Sequence, residues 1–211
     1  MALVKAIIFD MDGVLIEAKG WHYQALNRAL GLFGLTISRY DHLVTYDGLP
    51  TRKKLEMLSL ERGLPEALHP FISKMKQIYT MEYIYTQCKP VFHHQYALSL
   101  LKSAGMRLAL ASNAVRSSVD MMMEKADLAR FFEFTLSNQD VVKPKPDPEI
   151  YLTAMSRLKL SPKECLVVED NKNGIAAARA SGAHVLVVKD TNDVTYERIA
   201  ATLNSIGQNA Q

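Results

Sequence analysis

Residues 4–9 of this 211-residue chain, Val-Lys-Ala-Ile-Ile-Phe, are almost wholly apolar and rich in β-branched side chains, and they stop at Asp10. A strand without polar alternation is buried on both faces, which a parallel sheet between helix layers provides. Strands of that kind deliver their carboxyl ends to a ligand crevice. Here the end carries Asp10 and, two residues on, Asp12. On an extended chain, side chains at i and i+2 point the same way. Two adjacent carboxylates repel unless a cation or a proton holds them together. Gly13 then permits a turn that a side chain would resist. The pattern suits a hard divalent ion, a nucleophile and a proton donor at one point.

Further apolar runs over residues 106–111, 164–168 and 183–188, and a weaker one over 132–136, read as strands. Between them, 95–103, 115–125, 147–158 and 174–180 read as helices. Alternation of this sort predicts a parallel α/β sheet with right-handed crossovers. Gly105 and Gly182 sit just past two of the helices, where a left-handed cap residue is expected. Residues 18–86 break the rhythm. No strand is evident there, and 21–32, 51–62 and 67–86 read as helices. Leu55 and Leu58, and separately Ile72, Met75, Tyr79 and Tyr83, fall at the spacing of an apolar helix stripe. The expected division is therefore an α/β core of residues 1–17 and 87–211, with a helical insertion over 18–86. Tyr85 and Met121 to Met123 read as packing groups, and the polar tail 204–211 as frayed.

Composition narrows the partners. A net charge of +3 with 22% charged residues gives no clustered basic face for nucleic acid. Cys88 and Cys165 are too few for a disulfide framework, which points to a reducing compartment. The N-terminus shows no secretory signal pattern, and no apolar stretch approaches the roughly 20 residues that span a bilayer. The expectation is a cytoplasmic protein, monomeric or weakly dimeric, with no nucleic-acid or membrane partner.

The other strand ends complete the chemistry. Ser112-Asn113 offers a hydroxyl beside free backbone N–H groups at a helix start, an anion site. Prolines stiffen Lys143-Pro144-Lys145-Pro146-Asp147-Pro148, where a lysine would be a positioned point charge for phosphate. Glu169-Asp170 adds two carboxylates. Together these supply oxygen ligands for magnesium, a cation and an anion cradle, the parts needed for phosphoryl transfer.

FDMDGVL, then SN, then KPKPDPEIYL, then VVEDNKNGIAAARASG, in that order, resemble the haloacid dehalogenase superfamily. The helical insertion after the first motif resembles its β-phosphoglucomutase-like branch. The resemblance implies an α/β fold, a Rossmann-like parallel-sheet core with an inserted all-helical cap. It implies a magnesium-dependent phosphatase acting on a small phosphomonoester such as a sugar phosphate. Asp10 would be the nucleophile that becomes an aspartyl phosphate, and Asp12 the proton shuttle. Ser112, Asn113 and Lys145 would bind the phosphoryl oxygens, with Lys143 the alternative lysine. Asp10, Asp170 and the backbone carbonyl of Asp12 would hold Mg2+, with Glu169 assisting directly or through water. Glu17, His22 and Arg52 are candidate substrate contacts from the cap. Arg52, Lys53 and Lys54 follow the Gly48-Leu49-Pro50 loop, although most of such a run is usually a solvated face.

The chain departs from the branch at Pro144, where Gly is common, and at Glu17-Ala18-Lys19, where the branch has Asp-Ser/Thr-Glu. A phosphosugar mutase is the alternative reading; Thr51 stands where its cap arginine would be, with Arg52 one step off. True dehalogenation is disfavoured, because those relatives lack the second acid that Asp12 supplies. A non-catalytic binding protein would have little use for both a nucleophile and a proton donor. The insertion is expected to act as a lid, hinged near residues 17–19 and 89–90.

Overall fold

The computed structural model describes residues 4–46 and 48–208. Five strands, β1 (Ala6–Phe9), β2 (Arg107–Ala111), β3 (Phe134–Leu136), β4 (Cys165–Glu169) and β5 (His184–Val187), form one parallel sheet in the order β3-β2-β1-β4-β5. Every residue of β1 and of β4 is buried, as strands covered on both faces must be. Chain order reverses about β1, so its carboxyl end and that of β4 flank the crevice where open α/β sheets bind ligands. Register fixes which residues meet there. Phe9 lies opposite Val168 on one side and Leu110 on the other. Asp10 therefore faces Glu169, and the peptide before Ser112 lies alongside.

In chain order the helices are α1 (Lys19–Gly31), the short α2 (Arg39–Asp41), α3 (Thr51–Arg62), α4 (His69–Gln87), α5 (Phe92–Ser103), α6 (Arg116–Lys125), α7 (Glu149–Leu158), α8 (Lys172–Ala180) and α9 (Tyr196–Gln208). The chain divides into two compact units: Ala18–Cys88, and the residues up to Glu17 together with those from Lys89 on. In the sheet unit, Ala6, Ile8, Ala109 and Val167 pack with Ile150, Tyr151 and Ala154 of α7 and Ala177 and Ala178 of α8. The helical unit has its own core, in which Leu26 and Leu30 of α1 meet Leu55 and Leu58 of α3 and Ile72 of α4, with Met75 and Tyr79 partly buried against them. Tyr85 is exposed rather than packed, whereas Met122 and Met123 are buried. Gly63, Gly105 and Gly182 take the left-handed backbone that helix ends favour.

Two further expectations fail. The tail read as frayed is instead the last part of α9, which runs to Gln208; residues 209–211 lie outside the described part. Ile199, Leu203 and Ile206 sit at i, i+4 and i+7, a stripe that the interspersed Asn204, Ser205 and Gln208 obscure, and α9 packs on α5. The extended run also ends at Phe9. Beyond Asp10 the chain folds into a tight loop in which Met11 O accepts the N–H groups of Leu15 and Ile16, and Gly13, at φ +88°, donates to Ile16 O. Strand alternation therefore does not set the direction of Asp12.

His94 is buried on α5 among Ala97, Leu98 and Leu101, and its Nε2 donates to Thr191 O at 2.8 Å. Burial, with the neighbouring His93 ring, lowers its pKa from 6.5 to about 4 against the Thr191 bond. A depressed histidine pKa means that the unfolded chain binds the extra proton first, so stability is present above pH 6.5 and lost as pH falls towards 4. Chemical denaturation should show about 2 kcal/mol less stability at pH 5 than at pH 7.5 from this group alone. His94→Gln, which keeps a donor near the Nε2 position, should lack that increment; an unchanged pH profile would refute the assignment.

Candidate active site

Lys145 is the centre of the site. Its ammonium, 4% exposed, donates all three of its hydrogens: to Asp10 Oδ1 at 2.6 Å, Glu169 Oε1 at 2.7 Å and Ala111 O at 2.9 Å. Lys143 is exposed and lies 3.9 Å from Asp147, so Lys145 is the lysine that reaches Asp10. The proline-rich loop is held to the end of β2 by Asn113, whose Oδ1 accepts the Lys145 N–H at 3.0 Å and whose Nδ2 donates to Lys145 O at 3.3 Å. Both ends of the Asn113 side chain thus brace the lysine-bearing loop. Ser112 is buried, and its Oγ accepts the Ala114 N–H at 3.0 Å. It does not cap α6, which begins at Arg116 with Val115 before it.

Glu169 is saturated. Oε1 accepts from Lys145 and from the Tyr151 hydroxyl at 2.7 Å; Oε2 accepts the backbone N–H groups of Asp170 at 3.0 Å and Asn171 at 3.2 Å. Those last two donors lie at the amino end of α8, where a carboxylate is favoured. Room for the carboxylate comes from Gly174 on the first turns of α8: a Cβ there would lie 1.7 Å from Glu169 Oε1.

Oxygens of Asp10, Glu169 and Asp170 lie within 4.8 Å of one another. The Asp12 carboxylate is not one of these three, although its charge also acts on Asp10. Burial and the charges of Glu169, Asp170 and Asp12 push the Asp10 carboxyl well above its usual range, against the pull of Lys145. Burial alone would lower the Lys145 pKa, but Asp10 and Glu169 outweigh it and raise the ammonium. One ammonium faces a surplus of negative charge, and the donor set is all oxygen. Both properties fit a hard divalent cation such as Mg2+.

The candidate cap residues lie elsewhere in the chain. Glu17 is exposed just before α1. His22, on α1, has Nδ1 3.3 Å from Lys76 Nζ of α4. Arg52 is 88% exposed by side chain and pairs with Glu56 one turn along α3, while Lys54 is buried. Sequence reasoning assigned no role to Tyr151 or Gly174, although both stand inside the quoted motifs.

A family model of haloacid dehalogenase-like hydrolases matches residues 7–188. The chain belongs to that family. Among haloacid dehalogenase-like proteins it is 29% identical over 200 residues to a phosphorylated carbohydrates phosphatase of Thermotoga maritima, covering 90% of this chain and 88% of the relative. It is 31% identical over 192 residues to protein CbbY of Rhodobacter capsulatus, covering 87% and 85%. A crystal structure of β-phosphoglucomutase from Clostridium difficile is similar in fold, with a TM-score of 0.81 at 21% identity over 96% of this chain and 98% of that one.

Gly174 makes a test of the Glu169 seat. Alanine normally improves a helix over glycine, and Gly207→Ala in α9, with nothing within 4 Å of the added Cβ, should stabilise by about 0.5–1 kcal/mol. Gly174→Ala should do the opposite, by about 1–3 kcal/mol in denaturant melts, because the methyl displaces a carboxylate tied by four hydrogen bonds. Equal signs for the two variants would show that Glu169 is not so held.

Proposed function

We propose that this protein is a magnesium-dependent phosphatase acting on a small phosphomonoester, a sugar phosphate, through an aspartyl-phosphate intermediate. The observation that carries the reading is Lys145 at 2.6 Å from Asp10 within a buried carboxylate cluster that leaves the Asp12 carboxylate outside it. The similarity to a phosphatase of phosphorylated carbohydrates supports the substrate class.

Asp10 attacks phosphorus through a carboxylate oxygen, and the bond to the leaving oxygen breaks. Asp12 donates a proton to that oxygen, then takes one from the water that hydrolyses the aspartyl phosphate. Lys145 neutralises charge on the equatorial oxygens, helped by the Ser112 hydroxyl and the backbone N–H of Asn113. Asp10, Asp170 and the carbonyl of Asp12 would hold Mg2+, with Glu169 beside them. When bound, the ion offsets the charge of the cluster and of the phosphoryl group. Asn113 acts by keeping the Lys145 loop in place.

In a phosphate-release screen over phosphorylated sugars, nucleotides and acids, activity should require Mg2+, vanish with chelator and return on adding the ion. Asp10→Asn should lower it by about a thousandfold or more, and Asp12→Ala about as severely. Substantial release by Asp10→Asn would exclude the nucleophile; no release from any monoester by the unaltered enzyme would exclude the phosphatase. Conversion of β-glucose 1-phosphate without free phosphate would instead establish a mutase.

A further inference from the structure

Tyr151 stands on α7, wholly buried, and it touches both charged partners of the central ion pair. Its side chain is fully buried, its hydroxyl is 2.7 Å from Glu169 Oε1, and its ring centroid is 4.8 Å from Lys145 Nζ. Glu169 Oε1 thereby receives two donors, one from each of these residues. The Tyr151 hydroxyl fixes where Oε1 lies, and Oε1 is one of the three acceptors that aim the ammonium. The ring face adds a cation contact to the same ammonium.

We propose that Tyr151 is a positioning residue for phosphoryl binding: its hydroxyl holds Glu169 as the counter-charge that orients Lys145. The inference rests on the phosphatase reading. It assigns the Oε1 edge of Glu169 to Lys145 rather than to the metal. A phenylalanine at 151 would keep the packing and the ring contact and remove only the hydroxyl. Glu169 would then be held on one edge by the α8 amides and on the other by Lys145 alone, free to pivot with the lysine.

The test is a double-mutant cycle of Tyr151→Phe and Glu169→Gln, read by calorimetric binding of inorganic phosphate in saturating Mg2+ and by kcat and KM on the best monoester. Thermal melts of each variant are run alongside, and Glu169→Gln, which weakens the same hydrogen bond from its other side, reads the loss if the phenylalanine protein does not fold. Tyr151→Phe should weaken phosphate binding and lower kcat by about tenfold each, the loss of one charge-assisted hydrogen bond. The Mg2+ concentration for half-activation should stay within about twofold, because metal contacts are not what the hydroxyl supports. The double variant should be no weaker than Glu169→Gln alone.

Phosphate affinity unchanged in Tyr151→Phe, losses that multiply in the double variant, or metal affinity falling in step with phosphate affinity would each overturn the proposal. If the unaltered enzyme binds phosphate and releases it from a monoester, those results refute the positioning role alone. If it does neither, the phosphatase reading fails and the proposal with it.

Discussion

A buried ammonium among buried carboxylates is the interaction on which the rest of the site depends. Removing Lys145 from water costs several kcal/mol unless every donor is met, and all three are met, by Asp10, Glu169 and Ala111 O. Much of the surrounding structure serves that arrangement. Parallel register puts Asp10 beside Glu169 and brings the last carbonyl of β2 within reach. Asn113 clamps the loop that delivers the lysine, Tyr151 and the α8 amides hold Glu169, and Gly174 leaves it room. The result is stiff and short of positive charge, the condition in which a divalent ion and an anionic substrate are each admitted more readily in the presence of the other.

The two aspartates of the first motif separate into different environments within two residues. Asp10 still hydrogen-bonds through its N–H to Val168 O as though the sheet continued. Asp12 belongs to the loop that closes on Met11 O, half-buried and outside the carboxylate cluster. In the proposed mechanism the nucleophile has to be fixed against the phosphorus, whereas the carboxylate that shuttles the proton has to stay off the metal. The turn at Gly13 is what lets one short segment meet both demands.

The sheet was legible because its strands are buried on both faces and so appear as unbroken apolar runs; β1 and β4 are the clearest cases. The weak run before Ser137 yields only three strand residues, since Phe134 and Thr135 are half-buried at the sheet edge. α9 was missed because a single fully buried residue, Ile199, anchors it, and its polar positions resemble a solvated tail. At the site, Asp10, Asp170 and Lys145 stand out as charged groups at strand ends or on stiff loops. Tyr151 did not, because a tyrosine on an amphipathic helix looks like core until Glu169 is placed opposite its hydroxyl. Gly174 reads as helix filler until the carboxylate above it is seen. Both depend on which residues meet across the sheet, and local pattern carries no such information.

The departure at Glu17-Ala18-Lys19 has a local physical meaning. Ala18 is the residue that precedes α1, and it offers no side-chain oxygen to the helix N–H groups, where a Ser or Thr would. Lys19 puts a positive charge in a first turn that favours a negative one, and α1 has no acid in that turn. With neither a side-chain cap nor an acid in its first turn, α1 relies on the packing of Leu26, Ala29 and Leu30 in the core of the helical unit. The sheet unit, by contrast, closes its own loop by the Gly13–Ile16 bond before the junction begins. Of the three departing residues only Ala18 is fully buried, where the methyl group fills a place that a Ser or Thr hydroxyl would have made polar, while Glu17 is exposed before the helix.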